Sequence, residues 1–327
     1  MISAKPRLPL INRKHPQARG LIACFPFFER GGTVLRDVYN KKGNGTLTNF
    51  ILSSGWVTQR LGAALSFTAI SLHHIPIGFV NMASNQYFTI VAWVRALNGT
   101  SAADQDIFTE GNSGDDAPFI RLSIKANSDI LGFTVRDDAS TNNSSPVGTT
   151  ALTDGLWHCL AAVRNNTIWT IYVDGKAEAS TTVALSTITT NQSTIGSLRR
   201  ILNIAYFNEQ IAEVRLYKRV LRAKELLQIT SNPWVLYTQN RNRLTLIPIQ
   251  ISQRITEVLK EVKYNILESD YGISQTVTPY GKYLKIQLAT EVPISPPAPG
   301  GKGIVFFINA SNNLKIYCWD GTAWRVN

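Results

Sequence analysis

Residues 155–176 read GLWHCLAAVRNNTIWTIYVDGK. Two arms, Trp157–Val163 and Ile168–Val173, flank Asn165-Asn166-Thr167, whose residue types tolerate the left-handed backbone of a tight turn. Trp157, Cys159, Ala161 and Val163 share one face of the first arm, and Trp169, Ile171 and Val173 share one face of the second. Such alternation buries one face of a sheet. Asp174-Gly175 closes the second arm with another turn signal. The pattern alone specifies a β-hairpin.

Around this hairpin the chain is rich in Gly, Ser, Thr, Asn and short β-branched runs, which favours an all-β body. Its 327 residues, 44% of them hydrophobic, suffice for a large core and a smaller companion unit. Gly20–Phe28, Gly62–Phe67 and Phe88–Val94 are apolar strand candidates, followed by Phe119–Ile124 and Leu131–Val135. Thr194–Ser197 and Ile204–Phe207 read as short strands around Arg199-Arg200. The stretches 98–118 and 136–150 are polar and read as long loops, the part of a sandwich that carries specificity. In 210–221, Ala212, Val214 and Leu216 alternate with Glu213, Arg215 and Tyr217, predicting a strand with one buried face. Helix formers follow over 222–229.

Several of these segments resemble one family. A W-H-x-L-x-x-V arm followed by Y-V-D-G, here Trp157, His158, Leu160, Val163, Tyr172, Val173, Asp174 and Gly175, is similar to the central hairpin of laminin-G-like (concanavalin A-like) jelly rolls. The strand FTIVAWV at 88–94 and Asp37–Leu47 fit the same family, with Lys41-Lys42 as a departure. So does the closing I-x-E-V-R-x-Y strand with its A-x-E-L helix at Ala223, Glu225 and Leu226. His15–Ala23 (HPQARGLIA) and Asn232-Pro233-Trp234 narrow the likeness to laminin-G-like virion proteins of tailed bacteriophages. The tail at 303–326 resembles the terminal hairpin of phage fibre and decoration proteins through Phe307, Asn309, Asn313, Leu314, Tyr317 and Asp320–Trp324.

The resemblance implies an antiparallel jelly-roll β-sandwich with a short helix after its last strand and a small C-terminal β unit. The expected divisions are a basic, proline-containing arm (1–19), the jelly roll (20–247), a connecting region (248–290) and a Pro-rich linker with the terminal hairpin (291–327). Proline density predicts an arm without regular structure. It either tethers the chain to another protein or packs along its own domain. Over 250–266 a heptad-like rhythm predicts an amphipathic helix, which either lies on its own domain or seeds a homo-oligomer.

Chemistry is sparse. Glycoside hydrolases of this fold need paired carboxylates on one strand, and Glu213 has Arg215 and Tyr217 where partners would stand. His73-His74 has no third ligand nearby and reads as a surface or strand-end pair rather than a metal site. Asp115-Asp116 and Asp137-Asp138 are dense carboxylate pairs, but neither has the spacing of a calcium loop. With Asn142 and Asn143 they are the candidate ligand-loop residues. No cofactor is expected, the alternative implied by the resemblance being one calcium ion at the rim of the sandwich. Cys24, Cys159 and Cys318 lie far apart in apolar runs and read as buried free thiols. The net charge of +11 is scattered, which reads first as a solvated basic surface and next as docking on an acidic protein assembly, rather than as specific nucleic-acid binding. Lys5, Arg7, Arg13, Lys14 and Arg19 are the candidate attachment residues. No run approaches the ~20 apolar residues of a membrane helix, and the N-terminal stretch lacks an apolar signal core. The expectation is a non-enzymatic virion protein, a head decoration or a head fibre or spike, assembled in the host cytoplasm, displayed on the particle and partnered by the major capsid protein or other virion proteins. The alternative is a tail or fibre adhesin for a host glycan or receptor. A glycan-cleaving depolymerase is disfavoured by the missing carboxylates.

Overall fold

A computed structural model describes residues 5–6, 9–51, 55–59, 61–97, 102–140, 143–144, 146–184 and 186–237, together with the backbone of five strands in the C-terminal part. The chain divides into two compact units, Met1–Asn240 and Arg241–Asn327.

In the first unit the strands are β1 Leu21–Phe25, β2 Val34–Leu35, β3 Gly45–Thr46, β4 Trp56–Gln59, β5 Gly62–Ser66, β6 Ile75–Ile77, β7 Tyr87–Arg95, β8 Gln105–Asn112 and β9 Asp115–Ile124. They continue as β10 Ile130–Arg136, β11 Asn143–Ser144, β12 Val147–Ala151, β13 Trp157–Asn165, β14 Ile168–Val173, β15 Lys176–Thr182, β16 Gln192–Ile195 and β17 Gln210–Tyr217, followed by helix α1 Ala223–Ser231. Two antiparallel sheets result. The larger has the order β15-β14-β13-β7-β17-β5-β4, with β1 also on β17, and the smaller β11-β10-β9-β8-β16-β6, with β12 also on β10. The strands β2 and β3 form a separate ribbon.

The hairpin read from the sequence is β13–β14. Asn165 pairs with Ile168, and Asn166 takes φ 57° in the turn between them. Asp174 (φ 49°) and Gly175 (φ 80°) then turn β14 into β15. Left-handed residues in two-residue turns match the twist of the arms they join. Gly175 has a second reason to lack a side chain, because a Cβ there would stand 2.7 Å from the Leu227 backbone of α1.

The inner core lies between the sheets. Phe88, Trp169 and Phe133 meet in it, Trp169 stacking on Phe133 at 5.3 Å and meeting Phe88 edge-on at 5.6 Å. The larger sheet also buries its outer face. Cys24, Val91, Trp93, Cys159, Ala161 and Tyr217 form a second cluster there with Ala18, α1 residues Leu226 and Ile229, and Trp234, Leu236 and Tyr237. This corrects the expectation of one buried face. The first hairpin arm sends Leu160 and Ala162 inward and Cys159, Ala161 and Val163 outward, and both sets are covered. In β17 the register slips between Ile211 and Glu213. Every residue from Ile211 to Tyr217 is buried, the nominally polar Glu213 and Arg215 included.

Other expectations change with the register. Within 98–118, β8 is a buried strand rather than loop. Its polar side chains read as loop because their partners lie far along the chain. The Glu110 carboxylate accepts Met82 N–H at 2.8–2.9 Å, Ala83 N–H at 2.9 Å and the Ser193 hydroxyl at 2.9 Å. The Thr109 hydroxyl donates to the Ser197 carbonyl at 2.7 Å. Within 136–150 lie β11 and β12. Of 204–207, only Ile204 is paired, in an isolated bridge to Leu198. His73 and His74 stand at the end of a strand, as expected, immediately before β6, but they are buried rather than on the surface. His73 stacks on Phe50 at 4.0 Å, and its Nδ1 accepts the Thr68 amide.

In the second unit, Ser274–Thr278 (β18) pairs with Gly281–Lys285 (β19), and Ile304–Ile308 (β20), Leu314–Trp319 (β21) and Trp324–Val326 (β22) form a three-stranded sheet. The heptad stretch 250–266 and the Pro-rich 292–301 fall outside the described residues, as does the expected boundary at 247–248.

Candidate functional site

The two stretches singled out as ligand loops meet at one rim of the sandwich. The turn between β8 and β9 is tied to the segment before β16: Asn191 Oδ1 accepts the Ser113 amide at 2.9 Å, and Asn112 Nδ2 donates to the Thr189 carbonyl at 2.8 Å. From the other side, Asp138 accepts the Thr189 amide and hydroxyl, both at 2.7 Å, and Asp137 accepts the Ser186 hydroxyl at 2.9 Å. Thus 186–191 stitches 112–116 to 137–138. Asp137 and Asp138 serve as clamps for this segment, a use that short-range spacing does not signal. Asp115 accepts the Ala117 amide at 2.9 Å, and Asp116 pairs with Arg200 at 3.3 Å. Asn142 and the Asn143 side chain lie outside the described residues. Among those described, no three His, Cys, Asp or Glu side chains gather as a metal site.

Beside this rim, the outer face of the smaller sheet carries a cluster the sequence reading missed. Phe119 and Arg121 on β9 and Arg136 on β10 point the same way, since Arg136 and Phe119 are register partners and Thr134 faces Arg121. Arg200 arrives from the connection between β16 and β17. Its guanidinium stands 6.0 Å from the Phe119 ring centroid, with Arg121 at 5.8 Å and Arg136 at 5.1 Å. Arg121 is paired with Asp106 at 2.9 Å and Asp104 at 3.2 Å, and Lys125 with Asp104 at 2.6 Å. Burial pushes the Asp106 carboxyl up to about 7 despite the neighbouring Arg121. Arginines scattered over 121, 136 and 200 form no linear motif; the β9–β10 register and the β16–β17 connection assemble them.

Glu213, the one carboxylate weighed for catalysis, is 1% exposed. Arg215 donates to it at 2.8 Å and the Tyr237 hydroxyl donates to its other oxygen. Arg215 also donates to the Pro233 carbonyl, and the Cys24 thiol touches the Tyr237 hydroxyl at 3.2 Å. An enclosed, fully paired carboxylate has neither a route to substrate nor a second carboxylate across a bond.

Residues 71–227 match the family model of the concanavalin A-like lectin/glucanases superfamily. Domain 4 of AbnA, a GH43 extracellular arabinanase from Geobacillus stearothermophilus, solved in complex with arabinotriose, has the same fold at a TM-score of 0.51 and 17% identity, covering 64% of this chain and 98% of that one. The CBM40 of a Ruminococcus gnavus IT-sialidase bound to α2,3-sialyllactose aligns over 45% of this chain and 84% of its own, with 20% identity and a TM-score of 0.40. A Trypanosoma rangeli sialidase in complex with sialic acid aligns over 68% of this chain and 34% of its own, with 16% identity and a TM-score of 0.49. No curated protein matches the chain.

The first unit is also closed by the N-terminal stretch, which packs along its own domain, one of its two expected readings, and is not free of regular structure. Pro16–Ala18 forms a 3-10 helix capped by His15, and Ile11 bridges Tyr237. Proline at the first helical position is compatible with regular structure because its missing N–H would have no partner there. The Lys5 ammonium donates to the Ala63 and Ala212 carbonyls, each at 2.6 Å, and lies 5.3 Å over the Trp234 ring. Desolvation pushes it down to about 7. That inward head group takes Lys5 out of the attachment set. Arg13, Lys14 and Arg19 are exposed, Arg13 stacking at 4.6 Å on Tyr39, and Arg7 lies outside the described residues. At the head of β13, His158 is held by Asp174 at 2.8 Å on Nδ1 and Asp154 at 3.1 Å on Nε2. Its signal in the sequence was the pair of aspartates bracketing the hairpin.

Proposed function

We propose that the chain is a non-enzymatic structural protein of a bacteriophage virion whose concanavalin A-like domain binds glycan at the particle surface. The observation that carries the glycan-binding part is the superfamily match over residues 71–227. It is supported by the fold shared with the arabinanase domain that holds arabinotriose. Ligand then occupies the rim at 112–116, 137–138 and 186–191 and the neighbouring outer face of the smaller sheet. Non-enzymatic function is supported by the enclosure of Glu213 between Arg215 and Tyr237.

The virion part rests on the phage-like segments at either end of the domain. His15–Ala23 and Asn232–Trp234 lie on opposite sides of more than two hundred residues, yet Gln17 Nε2 donates to Gln228 Oε1 at 3.2 Å and the Asn12 amide to the Leu236 carbonyl at 2.9 Å. Their joint likeness therefore describes one structural unit. Exposed Arg13, Lys14 and Arg19 suit an acidic capsid surface, and the major capsid protein and a second copy of the chain are the partners expected. Antibody raised to the purified protein should label the outside of intact particles by immunogold microscopy. Particles that carry no such protein overturn the virion reading. An array of oligosaccharides that retains none of the protein overturns the glycan reading.

A further inference from the structure

Resting on that glycan-binding reading, we infer that Arg136, with Arg200 and Arg121 around Phe119, forms the subsite for the carboxylate of an acidic sugar. Three guanidinium groups stand within 6.0 Å of one ring centroid. Like charges brought this close repel, and the surrounding acids offset the repulsion unequally. Arg121 is matched by Asp106 and Asp104, and Arg200 by Asp116. Arg136 has no ion pair among the described residues, and its Nε is buried without an acceptor.

Phe119 is only 4% exposed, so it does not stack on a ligand itself. It is the floor that holds the guanidinium planes through cation–π contact. Preformed forks lose little side-chain freedom on binding. A planar fork presents two parallel N–H donors, which match the two oxygens of a carboxylate. The rim beside it carries Asp115, Asp116 and Asp138. This acidic border admits a single carboxylate on an otherwise neutral sugar and disfavours a continuous polyanion such as nucleic acid.

The test uses the full-length protein on an array in which each uronic- or sialic-acid-bearing oligosaccharide is paired with its carboxyl-reduced form. Wild type should prefer the acidic member of at least one pair by tenfold or more. Arg136→Gln and Arg136→Lys should both erase that preference while leaving the melting temperature unchanged. Lysine keeps the charge but lacks the fork, so an Arg136→Lys protein that keeps the full preference overturns the bidentate assignment. Equal retention within every pair, or a preference that survives Arg136→Gln, overturns the subsite and leaves the glycan reading standing. A wild-type protein that retains no glycan overturns both.

Discussion

His158 stands between two carboxylates, and its charge fastens the start of β13 to the turn that ends β14. When doubly protonated it donates to Asp174 and Asp154 together, and these hydrogen bonds raise its pKa above the usual 6.5. A raised value means the folded state holds the proton more tightly than the unfolded chain does. The stabilisation is complete below the unfolded value and is lost as pH rises through the folded one. Wild type should therefore melt well above His158→Gln at pH 5.5, with the gap narrowing steadily as pH climbs past 6.5. A gap that stays constant with pH would place the effect in packing alone. The same scale shows why sequence reading reached some side chains and missed others. Cys24 and Cys159 are free and buried as their apolar surroundings imply. Asp137 and Asp138 were noticed as a carboxylate pair, but their partners lie about fifty residues away, and no spacing rule reports that distance.

At the scale of elements, the hairpin was legible because its turns need residues that accept positive φ, and Asn166, Asp174 and Gly175 sit where those angles occur. The strand β8 was not legible. Its sequence QDIFTEGN alternates polar residues whose partners come from the loop before β7, from β9, and from the segment after β16. The closing strand was found but misjudged, since a bulge and a covered outer face bury Glu213 and Arg215 together. The hairpin's second arm also concentrates stability. Trp169 fills the inner core between Phe133 and Phe88, and truncating such a side chain typically costs about 3–5 kcal/mol. Trp169→Ala should lower unfolding stability in urea by that order with the slope unchanged. A loss under about 1 kcal/mol would mean the site collapses around the gap.

Across the whole molecule, the first unit owns its cores and closes on itself through the Ile11–Tyr237 bridge. A chain ending at Asn240 should fold alone, giving a β-type circular dichroism spectrum and one cooperative melt. Removing residues 1–18 from that chain should do more than delete an appendage. It strips cover from the outer face around Glu213 and Arg215, and uncovering or orphaning such a buried pair costs about 3–5 kcal/mol. Urea unfolding of the two chains measures the difference, and equal midpoints would show that the segment contributes nothing to the fold.

The meeting of Ile11 with Tyr237 has one more implication. Polypeptide enters and leaves the jelly roll side by side, which makes the domain a bead with both its ends at one point. Such a bead can be spliced into a surface loop of an unrelated scaffold without prising that loop apart. New end points can likewise be opened at the Asn166 turn once the old ones are joined by a short bridge of glycine and serine.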